Sequence, residues 1–482
     1  MNVSEIKQII DKARSSGFQI MARKGRDYYE GKHDIRFYRL FYFDGNGEVK
    51  EDKTRSNIKI SHPFFTELVD QLVQYMLSGK ERYIYSDVPE LQEKLDKQFN
   101  YNDDFNSELN ELLTDVSVKG SGYMYLYRDT DGRLVFNCAD SLGIVEVRAK
   151  DTQDNCDYVI RWYVERIDKD GEPIKKIEVW DSEKTTYYYE EGSKGIVFDD
   201  NIKINPRPHI VSRDLSSGNL YGSSFGFIPF FRLDNCKKQF NGLKPIKELI
   251  DDYDLMSCGL SNNLQDASEY LVVVSGFQGD NLEQLIQNVK TKKMIGVDSG
   301  GSLEYKTVDV PYEARKTKLE LDEKNIYKFG FGFNSSQLGD GNVTNVVIKS
   351  RYALLDLKAN KLEIRLKQFL RKILKVVLKE INDNNGTDYQ LKDVYFKFER
   401  EIITNASDNA AIEKTDAEKQ QIQINTLLNL ANTLDNETIV QNICEVLDID
   451  YEEIKSKLPT DETAATNEAT NAVNNIIPEG LS

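Results

Sequence analysis

The sequence predicts an α+β fold, in which a β-rich region precedes a series of long helices. Between residues 120 and 200, short runs of alternating apolar and polar residues are separated by polar turns. This pattern is typical of an antiparallel meander with one face in water. From residue 244 onward, apolar residues recur instead at intervals of three and four, as they do on amphipathic helices.

Composition bounds the class of protein. The 482 residues allow roughly two to four domains. The formal net charge is −17, whereas proteins that grip DNA over a broad surface are basic, because lysine and arginine neutralise phosphates. An acidic chain is compatible with a surface along which DNA slides. The 26 tyrosines and 22 phenylalanines suffice for a packed core and leave aromatic residues for interfaces.

Targeting and redox signals are absent from the sequence. The five cysteines form no CxxC pair, which predicts reduced thiols in a cytosolic setting. Glu5, Lys7 and Asp11 stand where a signal peptide needs an apolar core. No window reaches the ~18 apolar residues of a membrane span, so we expect no membrane association.

The N-terminal elements follow from helical spacing and turn chemistry. Residues 4–30 are predicted to form one amphipathic helix capped by Ser4. Residues 36–50 are predicted to form a hairpin around the turn residues 44–47, which read Asp-Gly-Asn-Gly. The same turn resembles the start of a calcium loop, but the later carboxylates of an EF-hand are missing.

The middle of the chain is predicted to alternate between helix and sheet. Residues 62–78 form a helix, and residues 105–119 form another that ends at Gly120. Strands cover about 120–200, and residues 201–233 are predicted to be loop-like. The apolar stripe of the first helix consists of Phe64, Leu68, Leu72, Tyr75 and Met76, and core packing alone would explain it.

Two helical patterns flank a small insertion. Residues 244–269, opened by Pro245, predict a helix roughly 39 Å long. Residues 270–310 predict a small α/β insertion, and residues 311–329 a second helix. Since the insertion is bracketed by helices, we expect an antiparallel helix pair that projects a small tip.

The C-terminal third is predicted to be mainly helical. Residues 330–345 are rich in glycine and polar residues, which predicts a mobile loop. Residues 346–381 predict a long helix, 395–401 a strand and 410–457 acidic helices, whereas the tail from Thr460 is predicted to be disordered. The basic residues of the long helix are Lys349, Arg351, Lys358, Lys361, Arg365, Lys367, Arg371, Lys372, Lys375 and Lys379.

The motifs of common enzymes are missing. The histidines His33, His62 and His209 lack HExxH or HxH spacing, so no metal site is predicted. The chain has no phosphate-binding loop, no complete dinucleotide fingerprint and no nucleophile elbow. Acidic neighbours such as Asp251 and Asp252 are interpreted as a solvated helix face. We therefore predict no catalytic residue, no cofactor and no enzymatic activity.

The basic helix 346–381 is the one candidate element for nucleic-acid binding. Two interpretations stay open. The positive face either meets acidic partners within an oligomer or contacts phosphates directly.

A series of segments, taken in order, resembles the portal proteins of tailed bacteriophages in the branch typified by phage SPP1. The resemblance extends over roughly residues 20–455. The segments that carry it are YYEGKHDI at 28–35, SNIKISHPFFTELVDQLVQYMLSGK at 56–80, GSGYMYLYRDTDGRLVF at 120–136, YVIRWY at 158–163, FGFIPFFRLDN at 225–235, IKELIDDYDLMSCGLSNNLQDASEYLVVVSG at 246–276 and KSRYALLDLKANKLE at 349–363, followed by the acidic helices after 405. One departure is VTNVVI before Lys349, where family members often have a step containing Ser-Gly.

The resemblance implies a multi-region portal fold with a mixed α/β wing, a two-helix stem, a small α/β clip and an α-helical crown. The implied regions are the wing at 1–233, the first stem helix at 234–269, the clip at 270–310, the second stem helix at 311–329, the tunnel loop at 330–345, the long basic helix with a wing return strand at 346–401, the crown at 402–459 and the disordered tail at 460–482.

Two groups of functional residues follow from these implied regions. The tunnel-loop residues expected near DNA are Asn334, Ser335, Ser336, Gln337, Asn342, Thr344 and Asn345. The residues expected to pack in the stem are Ile246, Leu249, Ile250, Tyr253, Leu260 and Leu264.

The resemblance also implies a function and partners. Portal proteins form rings, usually of twelve subunits, at one capsid vertex of the virion. Double-stranded DNA passes through the channel during packaging and ejection. Terminase, the head-tail connector or adaptor and the major capsid protein are the implied partners, and assembly takes place in the cytoplasm of the bacterial host.

Two alternative functions are kept beside this one. The first is a tail or baseplate scaffold that never contacts DNA, which the presence of a ring with a DNA-sized bore would exclude. The second is a nuclease or ATPase that uses the acidic clusters, which would need a metal or nucleotide site that the sequence lacks.

Overall fold

The computed structural model describes most of the chain. The described residues are 1–53, 55–79, 82–148, 156–167, 169, 171–192, 195–213, 220–266, 271–275, 300–306, 312–334, 345–400, 406–430, 436–447 and 451. They form two compact units, the first from residues 1–338 and 351–401, and the second from residues 339–350 and 402–482.

The N-terminal region contains two helices where the sequence predicted one. Helix α1 spans Val3–Arg14 and α2 spans Gly17–Tyr29. The side chain of Ser16 accepts the backbone N–H of Gln19 at 3.2 Å, so this serine caps α2 rather than continuing α1. The predicted cap Ser4 is also wrong, because Asn2 caps α1 in a reciprocal capping box with Glu5.

Three helices form the centre of the first unit. Helix α3 spans Phe64–Leu77, α4 spans Pro89–Leu95 and α5 spans Asp103–Lys119. The predicted stripe of α3 faces the core, where Leu68 and Leu72 are almost fully buried. The prediction that α5 ends at Gly120 is confirmed, since this residue has φ +94° and a Cβ there would lie 2.2 Å from the carbonyl oxygen of Gln239.

Two antiparallel sheets follow. Strands β4 (Ser121–Arg128) and β5 (Leu134–Ala139) pair as a hairpin. The sequential order of the larger sheet confirms the predicted meander, and Ile6 and Ile10 of α1 pack against it. That sheet contains β6 (Ile144–Arg148), β7 (Cys156–Ile167), β8 (Pro173–Trp180), β9 (Lys184–Glu191), β10 (Ile196–Phe198) and β11 (Arg207–Pro208), the last paired with β9.

The prediction of a loop over 201–233 is wrong in part. Strands β12 (Ile210–Arg213) and β13 (Leu220–Ser223) pair with each other. Strand β14 (Phe230–Asp234) pairs with β4, with Phe231 opposite Met124. This pairing partner lies about a hundred residues away in sequence, so the local Pro- and Gly-containing pattern did not indicate a strand.

Two further two-stranded sheets belong to the first unit. The predicted hairpin at 36–50 is confirmed as β1 (Phe41–Phe43) and β2 (Val49–Glu51), which follow a 3₁₀ turn at Asp34–Phe37. The predicted strand at 395–401 is shorter than expected, because among its described residues, 395–400, only Tyr395–Phe396 forms a strand. This strand pairs with Ile84–Tyr85; in chain order the two are β17 and β3.

The helix pair around the insertion is present. Helix α6 spans Lys247–Asp266 and α7 spans Tyr312–Gly330. Asp252 forms an ion pair with Lys318 at 2.5 Å, whereas Gly259, further along α6, lies beside Arg315, which comes earlier on α7. The two helices are therefore antiparallel.

Part of the insertion is described. Strands β15 (Leu271–Ser275) and β16 (Ser302–Lys306) pair in an antiparallel register. The short helix predicted near 281–290 lies outside the described residues.

Helix α8 spans Asn345–Asn385 and has 41 residues, somewhat longer than predicted. Its buried seam runs from Leu355 to Leu378 and includes Leu366 and Phe369. Six of its basic residues are exposed and form no ion pair with other described residues: Lys349, Lys361, Arg371, Lys372, Lys375 and Lys379.

The second unit contains helices α9 (Ala406–Asn429) and α10 (Asn436–Leu447). Ile424, Ile439 and Ile443 form their shared apolar cluster. The tail predicted to be disordered lies outside the described residues. Across the described helices, none is both long enough and apolar enough to cross a membrane.

Candidate functional site

The segment Ser56–His62, which we call the clasp, lies along helix α6. Every second backbone N–H of the clasp donates a hydrogen bond to a side chain of α6, and the acceptors are four residues apart on the helix. The four bonds run from Ser56 to Asp266 (3.3 Å), from Ile58 to Asn262 (2.7 Å), from Ile60 to Sγ of Cys258 (3.1 Å) and from His62 to Asp254 (3.0 Å).

The spacing of the two segments explains why four consecutive bonds form. Two residues of an extended chain cover about 6.6–6.8 Å, because each residue rises 3.3–3.4 Å. Four residues of an α-helix rise about 6.0 Å. A strand-like segment therefore keeps its alternate N–H groups close to one polar stripe of a helix over several steps. The clasp runs antiparallel to α6, and it satisfies backbone donors that would otherwise lack a partner.

Asp254 is the buried end of this ladder. Its side chain is fully buried, and its two oxygens face Nδ1 of His33 at 2.6 Å and Nδ1 of His62 at 2.7 Å. Burial alone would raise the pKa of this carboxyl, but the hydrogen bonds from His33 and His62 outweigh burial and hold the pKa below its ordinary value. The carboxylate thus joins α6 to two segments that lie about 200 residues earlier in sequence.

His33 contacts Tyr28 as well as Asp254. Its Nε2 faces the carbonyl oxygen of Tyr28 at 3.2 Å, and its ring stacks on the Tyr28 ring with centroids 4.4 Å apart. The Tyr28 hydroxyl donates a hydrogen bond to Asp251. Burial and this bond raise the pKa of Tyr28 well above its ordinary range.

The sequence spacing gave no reason to connect the three histidines. The structure brings His33 and His62 onto one carboxylate, whereas His209 lies apart, against Trp180 with ring centroids 5.5 Å away. The described residues contain no group of three or more His, Cys, Asp and Glu side chains that could hold a metal ion. A local signal for the cluster was the four-residue spacing of Asp254, Cys258, Asn262 and Asp266 on α6, which the sequence analysis did not use.

The acidic pair on α6 is not merely solvated, which corrects the sequence interpretation. Lys247 bridges Asp251 at 2.6 Å and Asp34 at 2.8 Å. Asp252 pairs with Lys318 of α7. These ion pairs connect α6 with the 3₁₀ turn on one side and with α7 on the other. We call the clasp, its acceptors on α6, Tyr28 and His33 together the junction.

A second set of contacts ties the end of α7 to α3. The Tyr327 hydroxyl donates to Glu67 at 2.6 Å. Gln71 makes two hydrogen bonds with the backbone of Phe333, accepting its N–H at 3.0 Å and donating to its carbonyl oxygen at 2.8 Å. Lys358 of α8 donates to the carbonyl oxygen of Gly330 at 2.9 Å, and burial lowers the pKa of this lysine to about 8. The entry to the glycine-rich loop is therefore anchored.

The tunnel-loop residues are described only at the ends of the loop. Asn334 donates a hydrogen bond to Glu323 of α7 at 2.8 Å, and Asn345 begins α8. Ser335, Ser336, Gln337, Asn342 and Thr344 lie outside the described residues.

The residues expected to pack in the stem differ in exposure. Ile246 and Ile250 are almost fully buried within the chain. Leu249, Tyr253 and Leu260 are half-buried. Leu264 is 55% exposed, so nothing described in the same chain covers it.

A family model and two related proteins all identify this chain as similar to phage portal proteins. A family model described as "Phage portal protein, SPP1 Gp6-like" matches residues 19–457. The portal protein of Bacillus phage SPP1 is 26% identical over 388 residues, which cover 80% of this chain and 75% of that protein. The portal protein of Clostridium phage phiCD119 is 25% identical over 435 residues, covering 86% of this chain and 89% of that protein.

A solved structure also matches most of this chain. It is described as the neck of a native GTA particle computed with C12 symmetry. The match covers 81% of this chain and 90% of that chain, with 14% identity and a TM-score of 0.37.

Proposed function

Because this chain belongs to the family of SPP1 Gp6-like phage portal proteins, we propose that it forms a ring at one capsid vertex, through which DNA is packaged and ejected. The family is structural and non-enzymatic in kind. The observation that carries the proposal is the family match, which extends over residues 19–457 and thus over both described units.

In the proposed ring, α6 and α7 form the stem, and the insertion between them forms the clip. The half-buried and exposed stem side chains support this assignment, because a helix pair with uncovered apolar residues gains stability when a neighbouring subunit covers them. The clip is too small to hold a core of its own. We propose that it pairs with neighbouring clips and presents the docking surface for terminase and the head-tail connector.

A DNA conduit needs a rigid frame at the base of its stem, and the junction supplies one. A buried carboxylate with several hydrogen-bond donors fixes the direction of α6 relative to α2 and α3. The contacts of Gln71 and Lys358 anchor the entry to the proposed tunnel loop in the same region. We propose that this frame stays rigid while the loop beyond Asn334 contacts passing DNA.

The first experiment asks whether the purified protein forms a ring. Negative-stain class averages should show a closed ring of twelve or thirteen subunits with a bore wide enough for duplex DNA. A strictly monomeric mass at micromolar concentration and above would contradict the proposal. A ring without a DNA-sized bore would favour a tail or baseplate scaffold instead.

The second experiment concerns the loop. Neutral hydrogen bonds to phosphate contribute a net of about 0.5–1.5 kcal/mol each, so they restrain DNA without trapping it. An added positive charge is attracted to every passing phosphate. Gln337→Lys should therefore reduce DNA packaging and leave ring formation intact, whereas Asn334→Ala should have a mild effect. Normal packaging by a variant with several lysines in this loop would show that the loop does not line the bore.

A further inference from the structure

Helix α8 carries a stripe of positive charge on its exposed face. We call it the basic stripe, and it consists of Lys361, Arg365, Lys372, Lys375 and Lys379. Successive residues of a helix are turned by about 100°, so the five side chains lie within an arc of about 80°. The stripe is about 27 Å long, because a helix rises 1.5 Å per residue. None of the five forms an ion pair with another described residue.

No acidic side chain interrupts the basic stripe. The acidic residues of α8 before its last turn each pair with an arginine, Asp356 and Glu363 with Arg400 and Glu380 with Arg128. Asp383, one turn beyond Lys379, is the next acidic residue on the face of the stripe. On a chain with a net charge of −17, a surface of one positive sign attracts a negatively charged partner.

A stripe of the opposite sign lies on helix α5. We call it the acidic stripe, and it consists of Asp104, Glu108, Glu111 and Asp115. These residues are three or four positions apart, which places them on one face of the helix. Asp104 and Glu111 are exposed, whereas Glu108 and Asp115 are half-buried. The acidic stripe is about 17 Å long, so the basic stripe can cover its full length.

The acidic stripe holds more negative charge than its neighbours neutralise. Asp115 pairs with Lys119 at 2.7 Å, but Asp140 shares this lysine at 2.9 Å. Burial raises the pKa of Asp115 to about 6. The ion pair with Lys119 opposes this shift, and the carboxylates of Asp140 and Glu111 add to it. Asp104 and Glu111 form no ion pair with described residues, so a positively charged partner would relieve the crowding of like charges.

The exposed apolar residues of α8 favour a protein partner over DNA. Leu357 is 61% exposed and Ile364 is 63% exposed, and both lie beside the basic stripe. Phosphate groups attract lysine and arginine, but they offer nothing to a leucine or an isoleucine. Protein interfaces cover apolar and charged side chains together. A second copy of this chain, which presents the acidic stripe, is therefore the partner that fits.

Two different stripes on one chain suit a closed ring. A contact between unlike patches is heterologous, and repeated contacts of this type generate a ring when the rotation closes. Each copy can contact one neighbour through its basic stripe and the other neighbour through its acidic stripe. Since copies with a net charge of −17 repel one another, opposite stripes also select the orientation in which two copies approach.

We propose that the basic stripe of α8 in one copy docks on the acidic stripe of α5 in the next copy, and that this contact sets the orientation in which subunits assemble. The inference rests on the ring proposed above and names a contact that builds it.

Charge reversal tests the contact from both sides. Lys372→Glu with Lys375→Glu reverses the centre of the basic stripe, and Asp104→Lys with Glu111→Lys reverses the exposed part of the acidic stripe. Each pair should raise the protein concentration needed for half-assembly by about tenfold or more, because like charges then face each other. Mass photometry over a range of concentrations measures assembly, and circular dichroism checks that each variant is folded.

The strongest test combines all four substitutions in one chain. This variant has the same net charge as the wild-type chain, and its two stripes are again opposite in sign. It should reach half-assembly within about threefold of the wild-type concentration, because the two reversals compensate. The matched control is Lys237→Glu with Lys238→Glu, which changes net charge as much as the basic-stripe variant does. These lysines are exposed in a turn outside both stripes, so the control should assemble like the wild-type chain.

The outcomes separate this contact from the ring. Reversal variants that assemble like the wild-type chain would overturn the contact and leave the ring intact. An equal loss in the control, or loss in both reversal variants without recovery in the combined variant, would also overturn it. Normal assembly of the basic-stripe variant with weaker binding to duplex DNA, measured by fluorescence anisotropy, would assign the stripe to phosphates instead. A wild-type chain that stays monomeric would overturn the ring and the contact together.

Crosslinking provides a second measurement that keeps both stripes unchanged. A photo-crosslinking amino acid in place of Gln368, an exposed residue between Arg365 and Lys372 on the same face, should link to peptides from residues 103–119. Mixing isotopically labelled and unlabelled chains shows whether the link joins different copies. Crosslinks only within one chain, or only to other regions, would contradict the proposal.

Discussion

The junction buries polar side chains, whereas the hairpin segment Phe37–Glu51, which we call the arm, exposes apolar ones. At the junction, Asp254 and His33 are fully buried, whereas in the arm Phe37 and Phe43 are about three-quarters exposed. The polar groups of the junction find their partners within the same chain. The apolar groups of the arm find none among the described residues. Burial therefore follows the available partners and not residue type alone.

The difference also separates two roles. A buried polar cluster is costly unless every member is paired, so it specifies one arrangement of the elements that meet there. An exposed apolar face contributes little to folding of the single chain, and it gains free energy only when another molecule covers it. The junction should therefore control stability of the subunit, and the arm should contribute little to it.

The largest expected effect is the loss of the carboxylate at the junction. Asp254→Ala leaves two histidines and the N–H of His62 without their shared acceptor, which should lower the free energy of unfolding by about 3–5 kcal/mol. Urea unfolding followed by circular dichroism measures this. The control is Asp252→Ala, whose side chain is 45% exposed in its pair with Lys318 and should cost about 0–1 kcal/mol. Equal losses in both variants would contradict the role assigned to Asp254.

Acid should weaken the junction through protonation of Asp254. The folded pKa of Asp254 is lower than its ordinary value, so its contribution is complete above the unfolded pKa of about 3.9 and is lost as the pH falls through the folded value. Urea unfolding at a series of pH values between 7 and 3 should show this loss beginning near pH 4. Asp254→Asn should have a smaller acid dependence. Parallel curves for variant and wild type would show that another group is responsible.

A smaller effect is expected where α3 anchors the loop entry. Gln71→Ala removes two hydrogen bonds to the backbone of Phe333, which should cost about 1–2 kcal/mol. Amide hydrogen exchange at residues 330–334 should become faster. Gln74→Ala, an exposed glutamine on the same helix, should change neither quantity. Unchanged exchange in Gln71→Ala would show that other contacts hold this segment.

The smallest effect on subunit stability should come from the arm. Phe41→Ser with Phe43→Ser changes only exposed side chains, so the unfolding free energy of the dissociated subunit should stay within about 0.5 kcal/mol of wild type. The measurement must be made below the concentration at which rings form. A loss of several kcal/mol would show that the arm packs within its own chain, and the contrast with the junction would fail.

Local patterns determined much of this fold. The apolar spacing of residues 62–78 and the glycine at position 120 predicted α3 and the end of α5. The Asp-Gly-Asn-Gly turn predicted the hairpin of the arm, because the Asp44 side chain accepts the N–H groups of Asn46 and Glu48 within the turn itself. These signals lie within a few residues of the structure that they specify, so a single sequence suffices to find them.

The tertiary structure alone decided the rest. The polar side chains along α6 can form hydrogen bonds with water as readily as with the clasp. Only the fold brings the backbone nitrogen of Ile58 within 2.7 Å of Oδ1 of Asn262. The convergence of His33 and His62 on Asp254 joins residues about 200 positions apart, and β14 was missed because its partner β4 lies about a hundred positions away. Periodicity reports which face of an element is apolar. It does not report which distant donor or acceptor will satisfy a polar group, because that depends on packing of the whole chain.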